Sequence, residues 1–520
     1  MNFKSWLNLQ NLSIFTVVIL AAFLRLYRIS DYMTFLGDEG RDVLVAKGIL
    51  EGHLTLLGPR ASAGNFFLGP IYYYFMAPFL WLFHFDPVGP AVMIALIGIA
   101  TVFLVYKVAK EFFGFKAAIA ASSLYAVSPL VISYSRSSWN PNPMPFISLL
   151  TLYLTYHALE KPSFKRWIII GFLLGIALQL HYLAVFLILI VGFFIFFGRT
   201  NIEKVVQFKK ILKIYLKIFV GFIVGFSPFL AFEIRHGFPN IRAIVEFIFG
   251  NTFHASYGDN ISFINVVQDV FFRLFGRLVL RFPPTDQIQA HLYGNSQIFV
   301  WQVLTVFLGI VSVFFIFGKG KKLTKLLFEV WIFLGIFLFG FYKKPIYDYY
   351  FGFMFPLPFI LVGNFLSQVY DFKKFRLFSK LAAVSIFVGI FIFNLYANPF
   401  MSEPNRQKDQ VKKISEFVLS KTDNKPFNFA LITKGNSDYA YRYYFEILGH
   451  PDVRMQNLIN DPKRKSVTSQ LMVVCEDTSC KPLGYPLFEV SNFGQAEIAG
   501  EWDVSVVKVF KLVHYHGAKP

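Results

Sequence analysis

Gly37-Asp38-Glu39-Gly40-Arg41-Asp42 follows directly on the first apolar stretch of a 520-residue chain, and its reading decides how the rest is read. Two adjacent carboxylates, a guanidinium and a third carboxylate fall within little more than one helical turn. The surrounding chain is 55% hydrophobic and 19% aromatic, with a mean hydropathy of +0.52. Beside lipid such groups are costly unless they face water or a partner, which marks the hexapeptide as a candidate functional site. The alternative is a solvated turn that only caps the helix beginning near Asp42. A charged fraction of 16% is that of a polytopic membrane protein rather than a soluble one of this length. The net charge of +19 is spread over short loops between apolar runs, the positive-inside pattern, so nucleic acid is not an expected partner.

Working outward, Leu12–Tyr27 reads as a first transmembrane helix rather than a cleaved signal, carrying the chain from a cytoplasmic Lys4 to Arg28 and Asp31 outside. Val43, Leu44, Ala46, Ile49 and Leu50 recur at helical spacing, which predicts a short helix lying on the membrane. Leu68–Phe85 is apolar but carries Pro70 and Pro78, and the parity of the later basic loops requires that it not cross. Ten further spans are then expected near Val88–Tyr106, Ala117–Tyr134, Met144–Leu159, two within Trp167–Phe197 broken near Gln179–Tyr182, Ile214–Phe232, Ile298–Phe317, Leu326–Tyr342, Tyr350–Val369 and Leu381–Ala397. Eleven spans keep the densest lysine loops in the cytoplasm. Val266–Leu280 reads as an interfacial stretch in a long outer loop.

A composition shift near Pro399 divides the chain into a transmembrane domain, residues 1–398, and a soluble extracytoplasmic domain, residues 399–520. Helices are expected at Asp409–Leu419 and Asp438–Leu448, and strands at Phe427–Ile432, Leu471–Val474 and Val504–Val513, giving a small α/β unit. Both cysteines, Cys475 and Cys480, fall here; a disulfide suits an extracytoplasmic domain, and two unpaired thiols are the other option.

Under this topology four polar sets share the outer side. They are Asp38/Glu39/Arg41/Asp42; Arg136 with Asn140 and Asn142; Glu233, Arg235 and His236; and Lys343, Lys344, Tyr347, Asp348 and Tyr349. Singly, each has a plain structural explanation, such as snorkelling arginines, an Asn140-Pro141 turn or an interfacial tyrosine belt. Their shared side argues against a transporter, whose polar site belongs near mid-membrane. Carboxylates plus cations at an interface suit transfer of a sugar from a polyprenyl phosphate. The leaving group departs as a stable anion that needs cations, while the acceptor hydroxyl needs a base. His236 and His254 are read as hydrogen-bonding residues before metal ligands.

The order helix, Asp38-Glu39-x-Arg41, surface helix, Gly69-Pro70 segment, helix, basic loop, helix, Ser135-Arg136 resembles the GT-C membrane glycosyltransferases. It is most similar to the protein O-mannosyltransferase and aminoarabinose–lipid A transferase superfamily in its bacterial PMT_2-like, glycosyltransferase family 39-like form, chiefly over the first 160 residues. The resemblance implies transfer from a polyprenyl-phosphate sugar donor at the outer face of the plasma membrane, usually with inversion. It implies Asp38 as base with Glu39 beside it, Arg41 toward the donor phosphate, and Arg136 as the arginine preceding a second acidic site. Two departures matter: Asn140 and Asn142 stand where relatives often have an Asp, so a divalent metal is not a firm expectation. Asn65 and Gly69 stand where relatives often have a Lys or His, which leaves Arg41, Arg235, Lys343 or Lys344 to meet the phosphate. Asp42, Asn65, Asn140, Asn142, His236 and Tyr347 complete the expected substrate-binding set. The rival function is a transporter or flippase of lipid-linked sugars that makes no bond. The acceptor, whether protein, lipid or glycan, is not legible.

Overall fold

A computed structural model describes residues 9–61, 64–203, 207–249, 262–281, 296–318, 320–342, 344–477 and 479–515. Lys343 and His254 lie outside the described residues. The first helix, α1 (Leu9–Leu26), is followed by α2 (Gly37–Leu50), which carries the acidic hexapeptide, and α3 (Ile71–Leu82), the proline-bearing segment. Next come α4 (Val88–Phe113), α5 (Phe115–Val127) and α6 (Pro129–Tyr134). Gly114, at φ 89°, makes the turn between α4 and α5 in a conformation that favours glycine, and Pro129 starts a new helix after the extended Ser128.

Then follow α7 (Met144–Glu160), α8 (Phe164–Leu180) and α9 (Ala184–Glu203), with the predicted break falling at His181–Leu183. Helices α10 (Phe208–Gly225) and α11 (Ser227–His236) meet at a 75° bend, where Pro228 lies in the first turn of the second helix. The segment after α11 contributes α12 (Pro239–Phe249) and α13 (Phe263–Phe272); the bundle continues through α14 (Ser296–Phe314), α15 (Lys322–Glu329), α16 (Gly335–Phe339), α17 (Pro356–Tyr370) and α18 (Arg376–Leu395).

A helix, straight or broken, stands at the place of each expected span. Among the described residues, four are long and apolar enough to cross a membrane alone, and six if each of two bent pairs is one span. The α8 and α10 backbones approach closely through Gly171 and Gly175 against Gly221 and Gly225. A Cβ at Gly171 would lie 1.9 Å from the Ile218 carbonyl oxygen, and one at Gly221 would lie 2.0 Å from that of Ile168. Small residues four apart permit such van der Waals contact between helices in lipid. Gln179, at the end of α8, then donates to the Gly225 carbonyl and accepts from Ile71 N at 3.2 Å, which ties the start of α3 to this pair.

The C-terminal region is an α/β unit. Strands β1 (Asn428–Ile432), β2 (Gln470–Cys475), β3 (Ala496–Val504) and β4 (Val507–His514) form one sheet of order β1-β2-β4-β3, parallel between β1 and β2 and antiparallel elsewhere. Helices α19 (Gln407–Ser420) and α20 (Tyr439–Ile447) belong to the same hydrophobic core as the bundle, whereas α21 (Phe488–Phe493) supplies Val490 and Phe493 to a separate cluster with Ala430, Leu471 and Val473. Cys475 and Cys480 are disulfide-bonded. The single strand expected at Val504–Val513 is corrected: the chain reverses at Ser505–Val506, and the preceding β3 was not foreseen. Its alternating Glu497, Glu501 and Asp503 give an edge strand with an exposed face, which reads as polar loop.

Candidate functional site

The hexapeptide begins α2, and its three carboxylates have three different surroundings. Asp38 is the open one, with its side chain 58% exposed and its Oδ1 accepting from Arg41 Nη1 at 2.8 Å. Asp42 is fully buried; its Oδ1 accepts from Arg41 Nε at 2.9 Å and Nη2 at 2.7 Å. Arg41 thus spans two acids four residues apart, one wet and one dry, and charge-assisted bonds of this kind fix the fork's direction. Tyr73 of α3 lies against Asp42, and Tyr72 pairs its hydroxyl with Ser138 Oγ at 2.7 Å, joining the acidic helix to the loop after α6.

Glu39, expected beside Asp38 as a second catalytic carboxylate, is placed otherwise. It is buried, and its Oε2 accepts from Leu36 N at 3.0 Å, folding back over the start of its own helix. Burial pushes its carboxyl up to about 7. Burial likewise pushes Asp42 up to about 6, although the Arg41 charge opposes the shift.

Arg136 is engaged by the end of α1 and not by the hexapeptide. Buried, it donates from Nη1 to Leu24 O at 2.9 Å and from Nη2 to Tyr27 O at 2.8 Å, with Phe400 4.9 Å beneath the guanidinium. It occupies the C-terminal end of α1, where free carbonyls and the helix dipole favour a cation. Asn140 donates to the Leu180 carbonyl that closes α8, and Asn142 donates to Ser137 O. Both amides are used to shape the backbone.

Asn65 accepts from Arg60 across a two-stranded bridge between Arg60 and Phe67, and both side chains are exposed. Arg235 and His236 are exposed at the end of α11; His236 Nδ1 meets Phe232 O at 2.9 Å. Glu233, between them and the bundle, is buried and accepts from Asn240 and from Ile241 N, capping α12. Lys344 lies over Phe247 at 4.2 Å, and Tyr347 is exposed and stacked on Tyr349, whose ring lies 4.3 Å from Trp139. Tyr72–Ser138 and Trp139–Tyr349 join the neighbourhoods of the first, second and fourth predicted sets, and Asn240, held by Glu233, accepts from Phe67 N just ahead of α3; of these sets Lys343 lies outside the described residues.

Sequence reasoning missed Arg60, an exposed cation near the hexapeptide's end of the bundle. It also missed Arg273 and Arg277, which converge on the predicted Asp348. Arg277 Nη1 reaches Asp348 Oδ1 at 2.7 Å, and Arg273 donates to Ile346 O and pairs with Asp269. The proximity of Lys343 and Lys344 to Asp348 drew attention to the loop but not to its partners 71–75 residues earlier.

Among the described residues no group of three or more His, Cys, Asp and Glu is arranged to hold a metal ion. Asp38 and Asp42 could supply oxygens, but Arg41 already lies between them, so this donor set does not fit a divalent cation without moving the guanidinium.

Residues 68–232 match the family model described as dolichyl-phosphate-mannose-protein mannosyltransferase. No curated protein matches the chain. In fold, the chain is similar to ArnT from Cupriavidus metallidurans bound to undecaprenyl phosphate, with a TM-score of 0.59, 12% identity and 100% of each chain covered. It is also similar to the archaeal oligosaccharyltransferase AglB from Archaeoglobus fulgidus in complex with an inhibitory peptide and a dolichol-phosphate, with a TM-score of 0.52, 16% identity, and 91% of this chain and 70% of that chain covered.

Proposed function

We propose that this chain, which shares the GT-C fold and over residues 68–232 matches a family of lipid-phosphate-dependent sugar transferases, is itself a membrane glycosyltransferase. It moves a sugar from a polyprenyl-phosphate donor to an acceptor hydroxyl at the Asp38 end of the bundle, on the extracytoplasmic side of the plasma membrane. One observation carries the reading: of the three carboxylates in the hexapeptide, Asp38 alone is open to solvent, and Arg41 holds it at the helix start. The two solved structures of similar fold hold undecaprenyl phosphate and a dolichol-phosphate, which agrees with a lipid-phosphate donor.

In the reaction, the acceptor oxygen forms a bond to the anomeric carbon as its proton passes to an Asp38 oxygen. The bond from that carbon to the phosphate oxygen breaks, and its electron pair leaves on the polyprenyl phosphate. A single displacement of this kind inverts the anomeric centre. The leaving group is already a stable anion, so cations in reach of the phosphate do the work of an acid. The exposed Arg60 and Arg235, together with Lys343 and Lys344, are candidates for this, and the exposed Tyr347 and His236 are candidates to touch the sugar. Arg41 orients Asp38. Glu39, Arg136, Asn140 and Asn142 hold the backbone in place rather than touch substrate. No step is routed through a metal.

The test compares cell-envelope glycans and lipids by mass spectrometry with the chain, without it, and with Asp38→Asn. The expected result is a sugar-bearing species that needs the chain and disappears with Asp38→Asn, while the purified variant binds undecaprenyl phosphate within about twofold of the parent. Full product formation by Asp38→Asn would overturn the reading and favour a carrier.

A further inference from the structure

Helix α2 cannot complete its own N-terminus. Its first turn leaves backbone N–H groups that need acceptors, a role usually filled by a Ser, Thr, Asp or Asn side chain just before the helix. Here that position is Leu36, which has no acceptor atom. Glu39 reaches back to Leu36 N, and the N–H of Gly37 takes its acceptor from another domain. Asn436 Oδ1 lies 2.9 Å from Gly37 N, across 399 residues of sequence.

The Asn436 amide is held in that direction. Its Nδ2 donates to Glu476 Oε1 at 2.7 Å; Glu476 also accepts from Tyr441 OH at 3.2 Å and, on Oε2, from Thr433 Oγ1 at 2.6 Å. With Nδ2 committed to a carboxylate, Oδ1 is left to face Gly37 N and Ser437 N. The surfaces are close enough that only glycine fits on the α2 side. A Cβ on Gly37 would lie 1.8 Å from Ser437 Oγ, and one on Gly40 would lie 2.3 Å from Ala440 N. These two glycines flank Asp38 and Glu39. Three more contacts fasten the same domain around the site: Lys408 with Asp86, Tyr443 OH donating to Phe85 O, and Gln407 Oε1 accepting from Phe35 N.

We infer that Asn436 is a positioning residue for Asp38, a helix cap supplied by the C-terminal domain and oriented by Glu476, and that this domain completes the site. The inference rests on the reading of Asp38 as the base. The cap fixes the backbone one residue before Asp38, and Arg41 fixes the carboxylate one turn later, so the two restrain Asp38 from both sides.

The test uses the full chain in lipid nanodiscs. Amide hydrogen exchange of residues 36–42 is followed together with binding of undecaprenyl phosphate and turnover in the assay that detects the product. Asn436→Ala is expected to speed exchange at Gly37–Glu39 by about five- to tenfold, the loss of one helix cap. Exchange in β1 should be unchanged, undecaprenyl phosphate should bind as before, and turnover should fall through kcat. Asn436→Asp combined with Glu476→Gln keeps an acceptor oxygen for Gly37 N and an orienting donor for the other oxygen, and should restore slow exchange at Gly37. Unchanged exchange at Gly37–Glu39 in Asn436→Ala, or an equal rise in β1, would overturn the inference. Full turnover in Asp38→Asn would remove the catalytic reading, and with it the link from cap to chemistry, while the exchange result would still report the cap itself.

Discussion

The two ends of the helix bundle carry charge in opposite ways. At the end bearing the basic loops, Lys116 meets Asp371 and Lys321 meets Glu160; the lysines are 48% and 71% exposed, so water screens both pairs. At the Asp38 end, Asp42, Arg136, Arg273 and Asp348 are all buried and each is tied to named partners. Exposed pairs contribute little to stability, whereas removing one member of a buried set leaves the other desolvated and unpaired. The lysine-rich end is therefore a solvated face, and the acidic end is a constructed one. Of the hexapeptide's three carboxylates at that end, Asp38 alone is left open.

That contrast can be broken or sharpened by substitution. The largest effect is expected from Asp38→Asn, which should lower turnover by about 10²- to 10⁴-fold, the range of a lost general base, with little change in melting temperature. A melting temperature that fell with the activity would place Asp38 among the structural charges instead. Arg136→Ala should destabilise the protein by about 2–4 kcal/mol, because the Leu24 and Tyr27 carbonyls lose their donors in a buried setting. Thermal unfolding in detergent measures this, and an unaffected melting temperature would count against the capping role.

Glu39 gives a smaller, pH-dependent effect. Its carboxyl is raised in the folded protein to about 7, so its stabilising contribution is complete below its ordinary range and is lost as pH rises through about 7. Glu39→Gln, which keeps an oxygen for Leu36 N, should therefore flatten the decline in unfolding free energy between about pH 5 and 8 by roughly 1–3 kcal/mol, read from denaturant melts across that range. Parallel pH profiles for the two proteins would contradict the burial. Lys116→Ala should cost at most about 1 kcal/mol, and less in high salt. A larger loss would mean that the basic end is built as tightly as the acidic one.

Much of the architecture was legible because it is written locally. Apolar runs of helical length and the polar Gln179–Tyr182 interruption fall where helices stand or stop, whereas the breaks before Pro129 and Pro228 divide two of the expected spans, Ala117–Tyr134 and Ile214–Phe232. The grouping of the polar sets followed from the positions of the basic loops. What was not legible depends on partners far away in sequence. Nothing around Leu36 announces that Asn436 will cap its helix, and nothing around Arg136 announces that α1 ends beside it. Asp38 and Glu39 look equivalent in the sequence. They differ because successive residues on a helix point about 100° apart, so one faces water while the other faces the packed interior. Strand β3 was hidden by its acidic outward face, and Arg273 and Arg277 by their distance from Asp348.

The central claim is that a lipid-linked phosphate docks at the end where Asp38 is open. A cryo-electron microscopy map of the chain in nanodiscs with undecaprenyl phosphate tests this directly. Phosphate density is expected on the solvent side of Asp38, within reach of the exposed Arg60 and Arg235 or the half-buried Lys344. Density among Lys107, Lys110 and Lys116 at the opposite end, with none near Asp38, would contradict it.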